Sequence, residues 1–317
     1  MKVLVTGGAG FIGSHLADAL LANKHAVTVV DDLSTGRREF VPGGAEFIEA
    51  DITTLKFVDI TQRIAPDVVC HLAAQISVSE SARNPQGDAE MNICGSLNVL
   101  SAAQRAGVKR FINISSGAVY SPLATLPYRE SAVAAPLSPY GVAKLAVEHY
   151  CQYFAQFRGL PTVTVRLGNV FGPRQNPLGE AGVIAIFLQR MLGGEPVEVH
   201  GSGAQAKDYI YVSDVVDALV CLLDAKLPVA KDMTGRCYNI GTGVPRSVNE
   251  IFTLLAGIAS YRLAPVPGPA RPADQRLVTL DCGRARKVLG WKPQVKWEEG
   301  LRWTHEWFAA NRSMFAN

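Results

Sequence analysis

Tyr140 and Lys144 are the two residues whose types and spacing most directly suggest chemistry. They stand one helical turn apart in a predicted helix, so the phenol and the amine share one face. A free phenol has a pKa near ~10 and is a poor base at neutral pH. The charge of Lys144 and the positive end of the helix, where Tyr140 falls in the first turn, would lower that pKa. The pair is suited to moving a proton while a hydride is transferred; the alternative is a chance pair of a core tyrosine and a surface lysine.

Ser116 is a third candidate for catalysis. It closes a predicted strand, Phe111–Ile114, that ends in Ser115 and Ser116. In an open parallel sheet, ligands bind at the carboxyl ends of the strands. A serine hydroxyl there can hydrogen-bond a substrate oxygen that changes charge. The alternative is a serine that only satisfies a turn.

A glycine pattern near the N-terminus predicts a dinucleotide site. Gly7, Gly10 and Gly13 lie between a predicted strand, Val3–Val5, and a predicted helix. Glycines let the backbone approach a pyrophosphate closely, and the helix N-terminus offers free N–H groups and a positive dipole end. Asp31 closes the second strand roughly 20 residues later, at the spacing of a carboxylate that accepts from ribose hydroxyls and repels a 2′-phosphate. The pattern favours NAD over NADP; the alternative is a purely structural glycine turn.

The elements that position these groups alternate along the first half of the chain. β-Branched runs predict strands and the stretches between them predict helices, which indicates a Rossmann-like, doubly wound parallel α/β sheet. Asparagine or serine followed by proline marks the start of the two longest helices. The predicted strands are Val3–Val5, Ala26–Val30, Val68–Leu72, Phe111–Ile114 and Thr162–Arg166, and the predicted helices are Phe11–Ala22, Leu55–Ile64, Pro85–Ala106 and Pro139–Phe157.

The 317 residues are enough for one large domain or two fused domains. After about Arg166 the alternation becomes irregular, and stretches rich in glycine and proline appear. We predict an NAD-binding domain over residues 1–165 and a smaller mixed α/β domain over 166–317, which mostly binds substrate. Some segments of the second part are expected to return to the first sheet.

Composition argues against several classes of protein. A net charge of +3, with no dense block of Lys and Arg, gives no sign of nucleic-acid binding. No apolar run approaches the length of a membrane span, and glycines break the first strand too early for a signal peptide. The six cysteines are far apart and the histidines lack metal-binding spacing. We therefore expect a reduced, cytoplasmic protein without a metal.

Taken together, these residues resemble the extended short-chain dehydrogenase/reductase family, and within it the UDP-sugar 4-epimerases. The resemblance runs over essentially the whole chain. The matching motifs are Thr6–Ser14 (TGGAGFIGS), Asp31–Gly36 (DDLSTG), Asp51–Ile52, His71–Gln75 (HLAAQ), Asn92–Asn98 (NICGSLN), Ser138–Lys144 (SPYGVAK), Arg166–Gln175 (RLGNVFGPRQ), Gly179–Gly182 (GEAG), Asp208–Asp214 (DYIYVSD) and Leu289–Pro293 (LGWKP).

The resemblance implies a tightly held NAD that is oxidised and re-reduced within one turnover. Tyr140 would take the proton from the sugar 4-hydroxyl as the C4 hydride leaves. Lys144 would hold the nicotinamide ribose and lower the pKa of Tyr140, and Ser116 matches the family's catalytic Ser or Thr. The 4-keto sugar would then swing and receive the hydride on its other face. A homodimer formed through the two longest helices, and a UDP-sugar as substrate, are implied in the same way.

The resemblance also implies the binding residues. Asp31 would hold the adenosine ribose and Asp51 the adenine, while Asn169 and Arg271 would hold the diphosphate and Asp274 the nucleotide ribose. The residues expected to bind the cofactor are Gly7, Gly10, Phe11, Ile12, Gly13, Asp31, Asp32, Ser34, Thr35, Gly36, Asp51, Ile52, Leu72, Ala73, Ala74, Gln75, Asn92, Tyr140 and Lys144. Those expected to bind the substrate are Ser77, Ser116, Asn169, Val183, Lys207, Arg271, Asp274 and Val278.

Four positions bear on the substrate. Lys207 replaces an arginine and loses the bidentate fork, Ser121 replaces a glycine, and Ile76 stands where some members have a lysine at the substrate phosphates. These departures concern nucleotide affinity. Val278 matches the site where a large aromatic side chain excludes N-acetylated sugars, so we hypothesise that UDP-GlcNAc and UDP-GalNAc are accepted beside UDP-Glc and UDP-Gal. The alternative is that loops around Val278 close the space.

Other reactions share this pattern. Related dehydratases and decarboxylases usually carry an extra acid just after the serine, where this chain has Gly117, Ala118 and Val119, which favours simple epimerisation. A UDP-glucuronate 4-epimerase, a C5 or C3 epimerase of a 4-keto sugar, or another NAD-dependent nucleotide-sugar epimerase or dehydratase stays open. A non-enzymatic NAD-binding protein would be expected to have lost the tyrosine, the lysine or the serine, and all three are present.

Overall fold

The computed structural model describes residues 1–178, 182–228, 232–270 and 276–315. The strands are β1 (Lys2–Thr6), β2 (Ala26–Asp31), β3 (Glu46–Glu49), β4 (Val68–His71), β5 (Arg110–Ser116), β6 (Thr162–Leu167), β7 (Asn169–Phe171), β8 (Glu198–His200), β9 (Ala206–Tyr211), β10 (Cys237–Ile240), β11 (Pro245–Ser247) and β12 (Val266–Gly268). The α-helices are α1 (Phe11–Ala22), α2 (Leu55–Ile64), α3 (Val78–Arg83), α4 (Pro85–Ala89), α5 (Ser96–Arg105), α6 (Pro139–Phe157), α7 (Val183–Gly193), α8 (Val212–Cys221), α9 (Val248–Ile258), α10 (Gly283–Leu289) and α11 (Trp297–Ala310).

A seven-stranded parallel sheet in the order β10-β6-β5-β4-β1-β2-β3 organises the chain. Successive residues of β1 point to opposite faces, as the strand period requires. Val3 and Val5 belong to the core that contains Leu16 of α1, while Leu4 belongs to the core that contains Phe57 of α2. The sheet is therefore covered by helices on both faces, and the predicted doubly wound fold is confirmed.

The predicted helix over residues 85–106 needs a correction. Its middle is a π-helical segment, Glu90–Gly95, which joins α4 to α5, and α5 ends at Arg105. Asn92 lies in this wider turn, where its main-chain oxygen accepts a hydrogen bond from the Ser96 hydroxyl at 2.6 Å. The side chain of Ser96 thus satisfies a carbonyl inside the segment where the helix widens.

The second half of the chain adds two small sheets, in the orders β11-β9-β7 and β12-β8. A separate apolar core gathers around α7, α9 and α11, with Phe187, Leu255 and Phe308 buried in it. β10 lies in the large sheet beside β6, and β6 runs across residue 165. The division of the chain into two domains at that residue stays a prediction.

Two findings concern the whole described chain. Among the described residues, no helix is both long and apolar enough to span a membrane. All six cysteines are free thiols.

Candidate active site

The predicted site residues converge because parallel strands end at one edge of their sheet. β1 ends at the glycine turn, β2 at Asp31, β4 just before Leu72, and β5 at Ser116. After β6, a single residue, Gly168, precedes Asn169, the first residue of β7. The cleft along this edge holds the candidate site.

The turn between β1 and α1 leaves no room for side chains. Gly7 has a φ of +70°, and a Cβ added there would lie 2.6 Å from the main-chain nitrogen of Ala73. A Cβ on Gly13 would overlap the main-chain oxygen of Gly7. The turn therefore packs directly against the backbone that follows β4, which explains why glycine is required at these positions.

The N-terminus of α1 is open for an anion. Gly10 stands at its N-cap and offers no side chain, and the first turn holds no acidic residue. The N–H groups of Phe11 and Ile12, in the first turn of α1, therefore have no side-chain partner from the cap. This geometry fits the pyrophosphate of a dinucleotide, as predicted from the glycine pattern.

Asp31 has a structural task besides its predicted one. Its carboxylate is buried and accepts hydrogen bonds from the main-chain N–H groups of Ala9 and Leu33, both at 2.9 Å. Burial raises the pKa of Asp31, and these two N–H donors lower it in turn. Asp31 thus ties the glycine turn to the loop that follows β2, and its remaining lone pairs can still accept from a ribose.

The neighbouring acids Asp32 and Asp51 shape their own turns. Oδ1 of Asp32 accepts from the Ser34 hydroxyl at 2.6 Å, and Oδ1 of Asp51 accepts from the Thr53 main-chain nitrogen at 2.7 Å. The segments expected at the adenosine end of the cofactor therefore have fixed backbones.

Ser116, Tyr140 and Lys144 lie together. Ser138 caps α6 by accepting from the Gly141 N–H at 3.1 Å, and Pro139 occupies the first turn. A Cβ on Gly141 would stand 2.7 Å from the Ala118 carbonyl oxygen, so α6 begins directly against the turn that follows β5. The Ser116 hydroxyl lies close enough to the Tyr140 phenol to lower its pKa.

Lys144 extends from α6 back to β5. Its Nζ donates to the main-chain oxygen of Ile114 at 3.1 Å and stands 5.7 Å from the ring centroid of Tyr140. Ser116 and Lys144 therefore both lie near Tyr140, and the catalytic roles of the three residues stay a prediction.

The expected lowering of the Tyr140 pKa is not found. Burial disfavours the phenolate and raises the pKa of Tyr140 to about 12, while the hydrogen bond with Ser116 opposes this and the charge of Asp88 adds to it. Burial lowers the pKa of Lys144 to about 8, and Asp88 and Glu148 oppose that change. The sequence-based expectation considered the lysine charge and the helix dipole but not the loss of water around both groups.

The loop after β4 is joined to the π-helical segment through side chains. Asn92 Oδ1 accepts from the Gln75 main-chain nitrogen at 3.0 Å, and Asn92 Nδ2 donates to the Gln75 main-chain oxygen at 2.9 Å. Asp88 Oδ1 accepts from both side-chain amides, at 2.8 Å from Gln75 and 2.9 Å from Asn92. Sequence reasoning singled out Gln75 and Asn92 but missed Asp88, whose signal was an acid one turn before Asn92.

A buried histidine links three elements below the cleft. His71 Nδ1 lies 2.7 Å from the Thr6 hydroxyl, and Nε2 lies 2.9 Å from the Ser96 hydroxyl. Because Ser96 donates its own proton to the Asn92 carbonyl, Nε2 carries the ring proton and Nδ1 accepts from Thr6. Burial lowers the pKa of His71 to about 3, so the ring is neutral at physiological pH. The ends of β1 and β4 are thereby fixed to the π-helical segment.

Several predicted substrate residues lie in or beside the three-stranded sheet β11-β9-β7. Asn169 is exposed at the start of β7, and Val183 begins α7. Lys207 lies on β9, and the Val278 N–H donates to the Ala206 main-chain oxygen at 3.0 Å.

The remaining predicted substrate residues are Ser77, Arg271 and Asp274. Ser77 caps α3 by accepting from the Glu80 N–H at 3.0 Å. Arg271 and Asp274 lie outside the described residues, as does most of the Gly179–Gly182 motif.

Asp208 fixes this sheet. The side chain is fully buried, and its two oxygens accept from the Thr242 N–H at 2.7 Å, the Thr242 hydroxyl at 2.7 Å, the Gly243 N–H at 2.9 Å and the Leu280 N–H at 3.1 Å. One carboxylate thus joins β9, the turn after β10 and the segment that carries Val278.

Comparisons with known proteins agree with this geometry. Residues 3–241 match the model of the NAD dependent epimerase/dehydratase family. The UDP-glucose 4-epimerase of Mycolicibacterium smegmatis is 41% identical over 314 residues, which cover 97% of this chain and 98% of that protein.

Solved structures of relatives have the same fold over nearly their full length. The UDP-glucose 4-epimerase of Thermotoga maritima with UDP-glucose has a TM-score of 0.92 and 44% identity, and the match covers 98% of this chain and 99% of that chain. The UDP-N-acetylglucosamine 4-epimerase of Methanobrevibacter ruminantium, in complex with UDP-N-acetylmuramic acid, has a TM-score of 0.91 and 32% identity, with 98% of each chain covered.

Proposed function

The chain belongs to the NAD dependent epimerase/dehydratase family, and on that premise we propose that it is an NAD-dependent epimerase that inverts C4 of a UDP-hexose. The observation that carries the proposal is the assembly of Ser116, Tyr140 and Lys144 at the same sheet edge as the uncapped N-terminus of α1. The relatives named above act on UDP-glucose and UDP-N-acetylglucosamine, which supports a UDP-sugar as the substrate.

Different residues would bind different parts of the cofactor. The N–H groups at the start of α1 would hold the pyrophosphate, and Asp31 would accept from the adenosine ribose. When bound, NAD supplies a hydride acceptor and donor together with a positive ring charge. Lys144 would donate to the nicotinamide ribose while it stays anchored to Ile114.

Proton transfer falls to Tyr140. Its phenolic oxygen would take the proton from the sugar 4-hydroxyl and return it after the hydride has been delivered to the opposite face of the 4-keto sugar. Ser116, which lies close to the phenol, would donate to the same sugar oxygen and hold it in place. Because burial raises the pKa of Tyr140 to about 12, the positive charges brought near the phenol must offset that burial for the base to form.

The turn after β5 supports epimerisation rather than elimination. Gly117–Val119 forms a short 3₁₀ turn, which carries no carboxylate directly after Ser116. Loss of water from a sugar requires an acid close to the leaving hydroxyl. This set of residues is therefore suited to removal and return of one hydride and one proton at C4, without loss of water.

An N-acetylated sugar is a second candidate substrate. Val278 is half-buried and is held by its main chain to β9, so its small side chain leaves room beside the sugar. The relative from Methanobrevibacter ruminantium is named for UDP-N-acetylglucosamine, which supports this extension of the substrate range.

We further propose a homodimer formed through α5 and α6. Val142, Tyr150, Tyr153 and Phe157 are exposed by 52%, 39%, 46% and 72%, and they recur along α6 at intervals of one to two turns. An apolar stripe of this kind is suited to burial against a second copy. Sedimentation of the protein as a monomer at micromolar concentration would contradict the proposal. We also propose a cytoplasmic location, which the six free thiols support.

The function is tested by incubating the purified protein, without added cofactor, with UDP-glucose and separately with UDP-GlcNAc. The sugar anomeric signals are followed by NMR, with Tyr140→Phe as the inactive control. Formation of the C4 epimer would support both a resident NAD and the proposed reaction. Absence of product from either sugar, with NAD shown to be bound, would contradict the proposed substrates.

A further inference from the structure

Asp88 is a buried carboxylate beside the candidate catalytic pair, and the proposed mechanism does not use it. Its side chain lies in α4, within a residue that is 2% exposed. Both hydrogen bonds to its Oδ1 come from neutral amides, those of Gln75 and Asn92. Burial raises the pKa of Asp88, while the two amides and the charge of Lys144 lower it in turn. The carboxylate therefore depends on a cation beyond its hydrogen-bond partners to stay ionised.

We propose that Asp88 is a positioning residue for the epimerisation, which joins the loop after β4 to the π-helical segment and balances the ammonium of Lys144. The inference rests on the proposed function. Its geometric part follows from Gln75 and Asn92, whose side-chain amides both donate to one oxygen of Asp88. The Asn92 side chain also accepts from the Gln75 main-chain N–H and donates to the Gln75 main-chain oxygen. Loss of that oxygen would free both residues, which are expected to line the cofactor.

The electrostatic part follows from the packing of α6. This helix packs against α3, α4 and the π-helical segment, which brings Lys144 near Asp88. Among the described residues, the charges that act on Lys144 are those of Asp88 and Glu148. Glu148 is already paired with Arg166, whose guanidinium donates to both of its oxygens, and the two side chains are at most 1% exposed.

Asp88 is therefore the carboxylate that remains to balance Lys144. His71 also lies near the ammonium, but it is neutral because burial lowers its pKa to about 3. Tyr140 is a titratable neighbour of Lys144, and the charge of Asp88 adds to the rise in the Tyr140 pKa that burial causes. The charge of Asp88 thus stabilises the ammonium of Lys144 and opposes ionisation of the Tyr140 phenol.

Asp88→Asn tests the proposal in the NAD-loaded protein. The amide oxygen can still accept from Gln75 and Asn92, while the charge is lost. Without that charge Lys144 should lose its proton at lower pH, so the alkaline limb of the kcat/KM profile should move to lower pH by about one unit. The matched control is Glu90→Gln, which removes an exposed charge two residues away in the same helical run and should leave the limb where it is.

Two further variants separate charge from position. Asp88→Glu keeps the charge but displaces it, so kcat should fall while the limb stays near its wild-type position. Asp88→Ala removes the same charge as Asp88→Asn and must move the limb in the same direction, so it decides the question if the asparagine variant does not fold. An alkaline limb that stays in place in the folded neutral variants would overturn the proposal.

A second readout does not depend on turnover. The phenolate absorbance of Tyr140 is obtained by subtracting the Tyr140→Phe protein, in both the wild-type and the Asp88→Asn background. Removal of the Asp88 charge should move this titration to lower pH, and an unchanged titration would contradict the proposal. If the wild-type protein fails to turn over UDP-sugars, the proposed function is wrong, while this titration still decides the role of Asp88.

Discussion

Lys144 donates a hydrogen bond from Nζ to the main-chain oxygen of Ile114 at 3.1 Å. The amine of α6 is thereby anchored to β5, the strand whose last residue is Ser116. The anchor uses one of three ammonium donors and leaves two for a ligand. Because the contact is to the backbone, the position of the amine does not depend on the side chain at residue 114.

Tyr140→Phe should reduce kcat by about 10²- to 10⁴-fold, the usual contribution of a positioned acid or base. The ring and its packing remain, and only the phenolic oxygen is lost. Interconversion of UDP-glucose and UDP-galactose is followed by NMR, and bound NAD is quantified after release from the protein. The control is Tyr150→Phe, because Tyr150 lies on the exposed side of the same helix. Near-normal turnover of Tyr140→Phe would refute its role as the base.

The activity of the wild-type protein should fall on the alkaline side. Burial lowers the pKa of Lys144 to about 8, so the ammonium is present below that pH and is lost as the pH rises through it. Lys144→Arg keeps a charge at every accessible pH, because the guanidinium does not titrate. The variant should have a lower kcat and no alkaline limb near pH 8. Retention of that limb would assign it to another group.

Arg166→Met should lower the free energy of unfolding by about 3–5 kcal/mol, because it leaves the buried carboxylate of Glu148 without a cation. Ser115 donates to that carboxylate at 2.6 Å but brings no charge. Urea denaturation measures the change. The control is Arg83→Met, which breaks an exposed pair with Glu80 and should have little effect. If the two substitutions lower the free energy of unfolding equally, burial of the Arg166–Glu148 pair is not what makes its loss destabilising.

Stability should fall in mild acid because of His71. Burial lowers its folded-state pKa from 6.5 to about 3, so between these values the unfolded chain binds a proton that the folded protein does not. The contribution is present above pH 6.5 and is lost as the pH falls, by about 1.4 kcal/mol per pH unit. Urea denaturation at several pH values gives the free energy of unfolding as a function of pH. This dependence should be steeper in the wild type than in His71→Asn. Equal pH dependence of the two proteins would mean that His71 is protonated as easily in the folded protein as in the unfolded chain.

Val278→Tyr should reduce kcat/KM for UDP-GlcNAc at least tenfold relative to UDP-glucose, because a large ring fills the space proposed for the N-acetyl group. A tenfold change corresponds to about 1.4 kcal/mol, a modest steric cost. The ratio of the two kcat/KM values is the measurement, and Val278→Ala is the control that should keep the ratio. No turnover of N-acetyl sugars, together with no effect of the tyrosine, would refute the hypothesis.

Local rules predicted much of this site. Ser138 and Pro139 fix where α6 begins, and that start sets the angular position of Tyr140 and Lys144 on the helix. In the same way the glycine turn fixes the start of α1. These features depend on neighbours in sequence, so the pattern of residues was sufficient to predict them.

Features that depend on distant contacts were missed. The π-helical turn at Asn92 is supported by Ser96, His71 and Thr6, which come from three separate elements. The pKa of Tyr140 depends on how much protein surrounds it, which the sequence does not reveal. β3 was missed because it is a short edge strand with glutamate at both ends, Glu46 and Glu49.

The carboxylate of Asp208 has a consequence for redesign of the enzyme. It accepts a hydrogen bond from the main-chain N–H of Leu280, in the segment that carries Val278. The Val278 N–H is likewise bonded to a main-chain oxygen, that of Ala206. The segment is therefore attached by its backbone, and the half-buried side chain of Val278 also packs against the core. Under the proposed function, a library of side chains at residue 278 should change sugar selectivity, because the main-chain hydrogen bonds that hold the segment do not depend on that side chain.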